Sequence, residues 1–123
     1  MKALTLGLVL YRLTTETGMP HLEENLRYAT IDETRCLTRA DFATLFPVLK
    51  HPALQGCALQ PQSEDEDSIT YVLACAGSHG TTGSARWTAD AHQLQGILNV
   101  RLGGKNMTFY QRITAVEAGS CAR

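Results

Sequence analysis

The first apolar alternation in the chain puts Leu4, Leu6, Leu8 and Leu10 on one side and Val9, Tyr11 and Leu13 on the other, the two-residue period of a strand covered on both faces. It predicts a first strand running to about Thr15, broken by Gly18, Pro20 and His21. In a second strand Leu26, Tyr28 and Thr30 resume the alternation towards Cys36. The period then changes. Thr38 with Asp41 three positions on is a helix N-terminal signature, and Phe42, Leu45, Phe46 and Leu49 recur at helical spacing. One α-helix is therefore expected, ending or kinking near Phe46 because Pro47 lacks a backbone donor.

After Pro52 the pattern returns to short strands and tight turns, whose side-chain parities constrain one another. Cys57 and Leu59 share odd positions with Ile69, Tyr71, Leu73 and Cys75. A hairpin turning at Glu64-Asp65-Glu66-Asp67-Ser68 then sets Leu59 opposite Leu73 and Cys57 opposite Cys75. In the next hairpin the apolar face switches from odd (Gly83, Ala85, Trp87, Ala89) to even (Leu94, Gly96, Leu98, Val100, Leu102). A two-residue turn at Asp90-Ala91 accommodates the switch and pairs Trp87 with Leu94 and Ala85 with Gly96. The Gly103-Gly104-Lys105-Asn106 turn sets Leu102 opposite Met107 and Val100 opposite Phe109, with Ile113 and Ala115 continuing the inner face. The expected fold class is mainly β: a curved antiparallel sheet or small barrel of about seven strands with one α-helix, in a single domain over residues 1–123.

Composition narrows the function classes. With 123 residues and 11 basic against 12 acidic side chains, the net charge is −1, which gives no broad positive field for nucleic acid. No apolar run is long enough for a membrane-spanning helix. Cys36, Cys57, Cys75 and Cys121 are an even set in a small chain, the arithmetic of a disulfide framework in an oxidising compartment. Zinc is the rival use, but no pair has the close spacing of a structural zinc site. Three pairings are open to four cysteines; the hairpin register joins Cys57 to Cys75 and leaves Cys36 with Cys121. The expected location is periplasmic or secreted. Residues 1–10 read as strand, because no small-x-small cleavage signal follows them, so a secretion leader is expected to have been removed from this chain.

No motif fixes a chemistry. His21, His51, His79 and His92 sit beside turn residues without ligand spacing, and His21 with Met19 is a weak basis for copper or zinc, so no metal is expected. Gly77-Ser78-His79-Gly80 is not a nucleophile elbow, and neither a catalytic residue nor a cofactor is expected. The acidic run at 64–68 reads as a solvated hairpin tip, since it lacks the spaced ligands and glycine of a calcium loop. The registers also place outward-facing residues: Arg86 beside Gln95, Ser84 beside Ile97 and Arg112, Thr82 beside Asn99 and Tyr110. Arg86, Asn99, Tyr110 and Arg112 are therefore the candidate binding residues, since arginine and aromatic side chains on an open face favour partners or anionic ligands. An apolar ligand inside the sheet, against Trp87, Phe109, Tyr71 and Leu98, is a second binding site to weigh against simple side-chain filling. The expected role is a non-catalytic binding protein for an envelope protein or a small apolar or anionic ligand. A small secreted enzyme or metal-binding protein is the alternative.

The chain resembles the secreted bacterial proteins grouped as domain of unknown function number 3617. The likeness lies in Gly7-Leu8 through Thr15 and Gly18-Met19-Pro20, Cys36-Leu37-Thr38, Cys57, and Cys75-Ala76-Gly77. It continues through Gly83-Ser84-Ala85-Arg86-Trp87, Asp90, Gly96, the Gly103-Gly104 turn with Met107, and Gly119-Ser120-Cys121. Val9 stands where the family usually has an aromatic residue and Ser120 where an acid is common. The resemblance implies a secreted or periplasmic location and four paired cysteines. It implies no activity and supplies no catalytic residues.

Overall fold

The computed structural model describes residues 9–18, 29–76, 80–103 and 107–121. Seven antiparallel strands form one sheet: β1 (Val9–Gly18), β2 (Ala29–Leu37), β3 (Cys57–Glu64), β4 (Ser68–Cys75), β5 (Thr82–Ala89), β6 (Gln93–Leu102) and β7 (Met107–Ser120). Their spatial order is β2-β1-β7-β6-β5-β4-β3, so β3 to β7 are a meander and β1 returns beside β7. Among the described residues the sheet is open, with β2 and β3 as its edges, and does not close into a barrel.

Alternation sorts the side chains onto two faces. The inner face carries Tyr11 and Leu13 of β1, Ile69, Tyr71 and Leu73 of β4, and Ala85 and Trp87 of β5. It also carries Leu59 of β3, Leu94, Leu98 and Val100 of β6 and Phe109, Ile113 and Ala115 of β7, and all of these are buried. β1 runs to Gly18, beyond the expected end at Thr15, and its outer face is only partly covered: Arg12 is exposed there. Leu4, Leu6, Leu8, Leu26 and Tyr28 lie outside the described residues, as do the breakers Pro20 and His21.

The expected α-helix is replaced by three short 3-10 turns, Arg39–Ala43, Pro47–Lys50 and Pro52–Leu54. The start signal is real, for the Asp41 carboxylate accepts the Thr38 backbone N–H at 2.7 Å. Propagation fails because the residue before a proline is pushed out of the helical region: Phe46 (ψ 117°) precedes Pro47 and His51 (ψ 141°) precedes Pro52, and both are extended. Phe42, Leu45, Phe46 and Leu54 are still buried, so the segment works as an apolar strap across the inner face. The Trp87 indole sits beneath it, with the Phe42 and Phe46 ring centroids at 4.6 and 5.5 Å and its Nε1–H donated to the Phe42 carbonyl at 3.0 Å. Gln111, buried on the inner face of β7, accepts the Val48 N–H through Oε1 at 3.0 Å and donates Nε2–H to the Thr17 hydroxyl at 2.9 Å. One amide thus ties the strap to two strands.

In the β3–β4 hairpin Leu59 faces Leu73 and Cys57 faces Cys75, as their shared parity requires. A bulge between Pro61 and Ser63 displaces the tip by one residue, so Glu64 faces Ile69. In β6–β7 Val100 faces Phe109 and Leu102 faces Met107 as expected; turn residues 104–106 lie outside the described set. The β5–β6 register is the correction. Trp87 faces Gly96, Ala85 faces Leu98 and Ala89 faces Leu94, a shift of two residues that preserves every face. Asp90 donates its N–H to the Gln93 carbonyl at 2.8 Å, so the two-residue turn is Ala91-His92, one residue later than expected. The glycine decides it: a Cβ at Gly96 would lie 2.5 to 2.7 Å from Trp87 ring atoms, so a residue without one must stand opposite the indole.

All four cysteines are paired, Cys36 with Cys121 and Cys57 with Cys75. The first bridge joins the end of edge strand β2 to the residue after β7, passing β1 at the Leu10 row. The second crosses the β3–β4 ladder beside the core. Both agree with a secreted, disulfide-stabilised chain. Among the described residues no helix is long and apolar enough to cross a membrane.

Candidate functional site

With the inner face taken up by the core, the other face of β5, β6 and β7 is where side chains remain available. Two facing rows matter. Ser84, Asn99 and Tyr110 stand side by side across the three strands, as do Thr82, Arg101 and Thr108. These six residues line a shallow depression of about 470 Å³. Thr82, Ser84, Asn99, Arg101 and Thr108 are exposed, and Tyr110 is half-buried.

Tyr110 is half-buried because its ring lies across the backbone of Gly18, the residue facing it on β1; a Cβ at Gly18 would overlap the ring carbons. The Arg112 guanidinium carbon is 6.0 Å from the ring centroid, and Arg112 Nη1 lies 3.6 Å from the Glu16 carboxylate. The phenol is thus fixed between a glycine and a guanidinium rather than free to swing. Arg86 stands in the next row, beyond Ile97 from Arg112, and donates to the Ser68 hydroxyl at 3.3 Å.

Arg86, Asn99, Tyr110 and Arg112 do share one face, but the two-residue register shift changes their neighbours. Ser84, not Thr82, stands with Asn99 and Tyr110; Arg86, not Ser84, stands with Ile97 and Arg112; Thr88, not Arg86, faces Gln95. Of those four candidates only Asn99 and Tyr110 reach the depression, whose lining also includes Thr82, Gly83, Ser84, Val100, Arg101, Thr108 and Phe109, among them an arginine that alternation alone does not single out. The missing signal was Gly96: set opposite Trp87, it brings Arg101 opposite Thr82.

The interior is occupied by the chain itself around Trp87 and Leu98, both 0% exposed, with the strap aromatics filling the space over the indole. At the acidic tip Asp65 accepts the Asp67 and Ser68 N–H groups and the Ser68 hydroxyl, each at 2.9 Å. Those backbone and hydroxyl donors hold its carboxyl below the ordinary range. Glu64 is paired with Arg39, its guanidinium Nη1 at 2.8 Å. Of the histidines, His51 accepts the Ala53 N–H at its own turn, and His92 Nδ1 lies 3.8 Å from Glu117 at an exposed hairpin tip. His21, His79, Ser78 and Met19 lie outside the described residues. Among the described residues no three His, Cys, Asp or Glu side chains converge as metal ligands.

The arrangement offers hydroxyl and amide hydrogen bonding, an oriented aromatic ring and positive charge. Comparison with known proteins returns no match to a family model, a curated protein or a solved structure.

Proposed function

We propose that the chain is a non-catalytic binding domain of the periplasm or the extracellular space, related to the family it resembles, and that it takes its partner on the outer face of β5, β6 and β7. One observation carries this reading: a single depression gathers the aromatic, amide, hydroxyl and guanidinium groups of two adjacent cross-strand rows, and all of them project from strands whose opposite side chains are locked in the core. Groups held by rigid strands meet a ligand with little ordering cost. The disulfides fit the compartment, since paired cysteines persist where the surroundings oxidise.

The test uses isotopically labelled protein and envelope extract separated into protein and small-molecule fractions. Amide shifts on adding the active fraction should cluster at Thr82, Ser84, Asn99, Thr108 and Tyr110. They should vanish in Ser84→Trp, an exposed strand position where tryptophan fits the backbone and fills the depression. Shifts confined to the edge strands β2 or β3, or unchanged by Ser84→Trp, refute the proposal.

A further inference from the structure

We infer that the outer side of edge strand β2 docks a second copy of this chain, its own β2 running antiparallel about a two-fold axis at Thr34. Among the described residues β2 has a neighbouring strand on one side only, so its other side presents backbone donors and acceptors to a further strand. The two edges of the sheet treat that exposure differently. β3 carries devices that stop a strand from accepting another: Pro61 has no N–H to offer, and a bulge between Pro61 and Ser63 breaks its ladder. Arg39 of the strap is also bonded to Glu64 at the end of β3. β2 has none of these. It contains no proline and pairs with β1 from Ala29 to Leu37 without a register shift. Five consecutive residues on it, Asp32 to Cys36, are exposed.

Charge decides both the occupant and the register. Glu33 and Arg35 lie on the face of Leu13 and Tyr11, which they oppose on β1, and Thr34 between them lies on the other face. Two antiparallel strands related by a two-fold axis normal to the sheet match each residue with the one equally far beyond the axis. Centred on Thr34, that rule sets Glu33 opposite Arg35 of the second copy, Arg35 opposite its Glu33, and Thr34 opposite its Thr34. The five exposed residues are themselves centred on Thr34, so every one of them is matched within the set.

Opposed Cβ atoms in such a ladder are about 4.5–5.5 Å apart, where unlike charges attract and like charges repel. The neighbouring registers fail on that count: an axis at Asp32, Glu33 or Arg35 sets the charged residue against itself. An axis at Cys36 sets Arg35 against the buried Leu37. Glu33 and Arg35 of one chain already approach to 4.0 Å, each side chain 46% exposed. The dimer therefore extends a marginal surface pair into a row of four alternating charges. A foreign strand would have to carry a matching row; a copy of this chain matches it by symmetry. The two sheets then continue into one another with their apolar faces on the same side.

The experiment follows sedimentation of the intact oxidised chain from about 10 μM to about 1 mM, the range expected of a small, reversible interface. Dimer should form within it, and isotope-filtered NOEs between labelled and unlabelled copies should join Glu33 to Arg35 and Thr34 to Thr34. Glu33→Arg leaves two guanidinium groups in the row and Arg35→Glu two carboxylates, so each variant alone should dimerise at least about tenfold more weakly than the parent. Mixed one to one, the two variants should dimerise as the parent does, because each row then meets its opposite; damage to the fold would not be repaired by mixing. A chain that stays monomeric throughout the range, or a dimer whose NOEs lie elsewhere, would overturn the proposal. So would single variants that dimerise as well as the parent, or a mixture no stronger than its components.

Discussion

Gly96→Ala adds one methyl group opposite Trp87, at 2.5 to 2.7 Å from indole carbons that would need roughly 3.5 to 4.0 Å for a relaxed contact. Relief requires a displacement of roughly 1 Å. The indole has little freedom to supply it: it is 0% exposed, packs against Phe42 and Phe46, and donates Nε1–H to the Phe42 carbonyl. Moving the ring strains that bond, and moving the strand disturbs two ladders. Overpacking of this kind costs about 1–3 kcal/mol, against about 0.5–1 kcal/mol that alanine ordinarily gains over glycine inside a strand, leaving a net loss of about 0–2.5 kcal/mol, centred on about 1 kcal/mol. For a domain of this length that lowers the thermal midpoint by roughly 4–8 °C. Urea unfolding followed by the fluorescence of Trp87 gives the free energy directly. A double-mutant cycle isolates the cause, because in a Trp87→Leu background the same methyl group should be neutral or stabilising. A Gly96→Ala protein more stable than the parent, or an equal loss in both backgrounds, would refute the packing argument and the register with it.

Other outcomes follow from named contacts. Gln111→Leu leaves the half-buried Val48 N–H without its acceptor and should cost about 0.5–1.5 kcal/mol, with faster amide exchange confined first to residues 47–54. Removing Cys57–Cys75, which spans 18 positions, should cost about 3 kcal/mol, and removing Cys36–Cys121, which spans 85, about 4.5 kcal/mol, as unfolding by denaturant would record. Burial holds the phenols of Tyr71 and Tyr11 above their ordinary range, with nearby Glu64 and Glu117 adding to it and Arg39 partly offsetting it at Tyr71. Their ionisation therefore favours the unfolded chain: the contribution is intact below about pH 10 and declines as pH rises through the folded values. Denaturant midpoints from pH 8 to 11 should fall at the alkaline end, and fall less in Tyr71→Phe.

What the sequence disclosed was parity. Alternation at 57–59, 69–75, 83–89 and 94–102 is a local property of the strands, and every inner residue named from it is on the inner face or packed beside it. Register is not local. It depends on which two residues make a turn, and Asp90-Ala91 and Ala91-His92 both preserve parity, so only the space demanded by the indole separates them. The helix failed for a related reason: apolar residues at 42, 45 and 46 fit a helical stripe, but they fit equally a strap broken by Pro47 and Pro52, whose burial is dictated by the sheet beneath. The candidate site inherited these limits. Its face was legible from alternation, while the company of Asn99 and Tyr110 was not, and Arg101 entered only once the register was set.

The strap has a consequence for how this protein can change. By covering one side of the sheet it separates the buried residues that decide melting from the exposed ones on the other face, although both kinds alternate along the same strands. Thr82, Ser84, Asn99, Arg101 and Thr108, all exposed, can therefore be randomised together in a display library with most members still folding, so the outer face can drift over generations without eroding the scaffold beneath it.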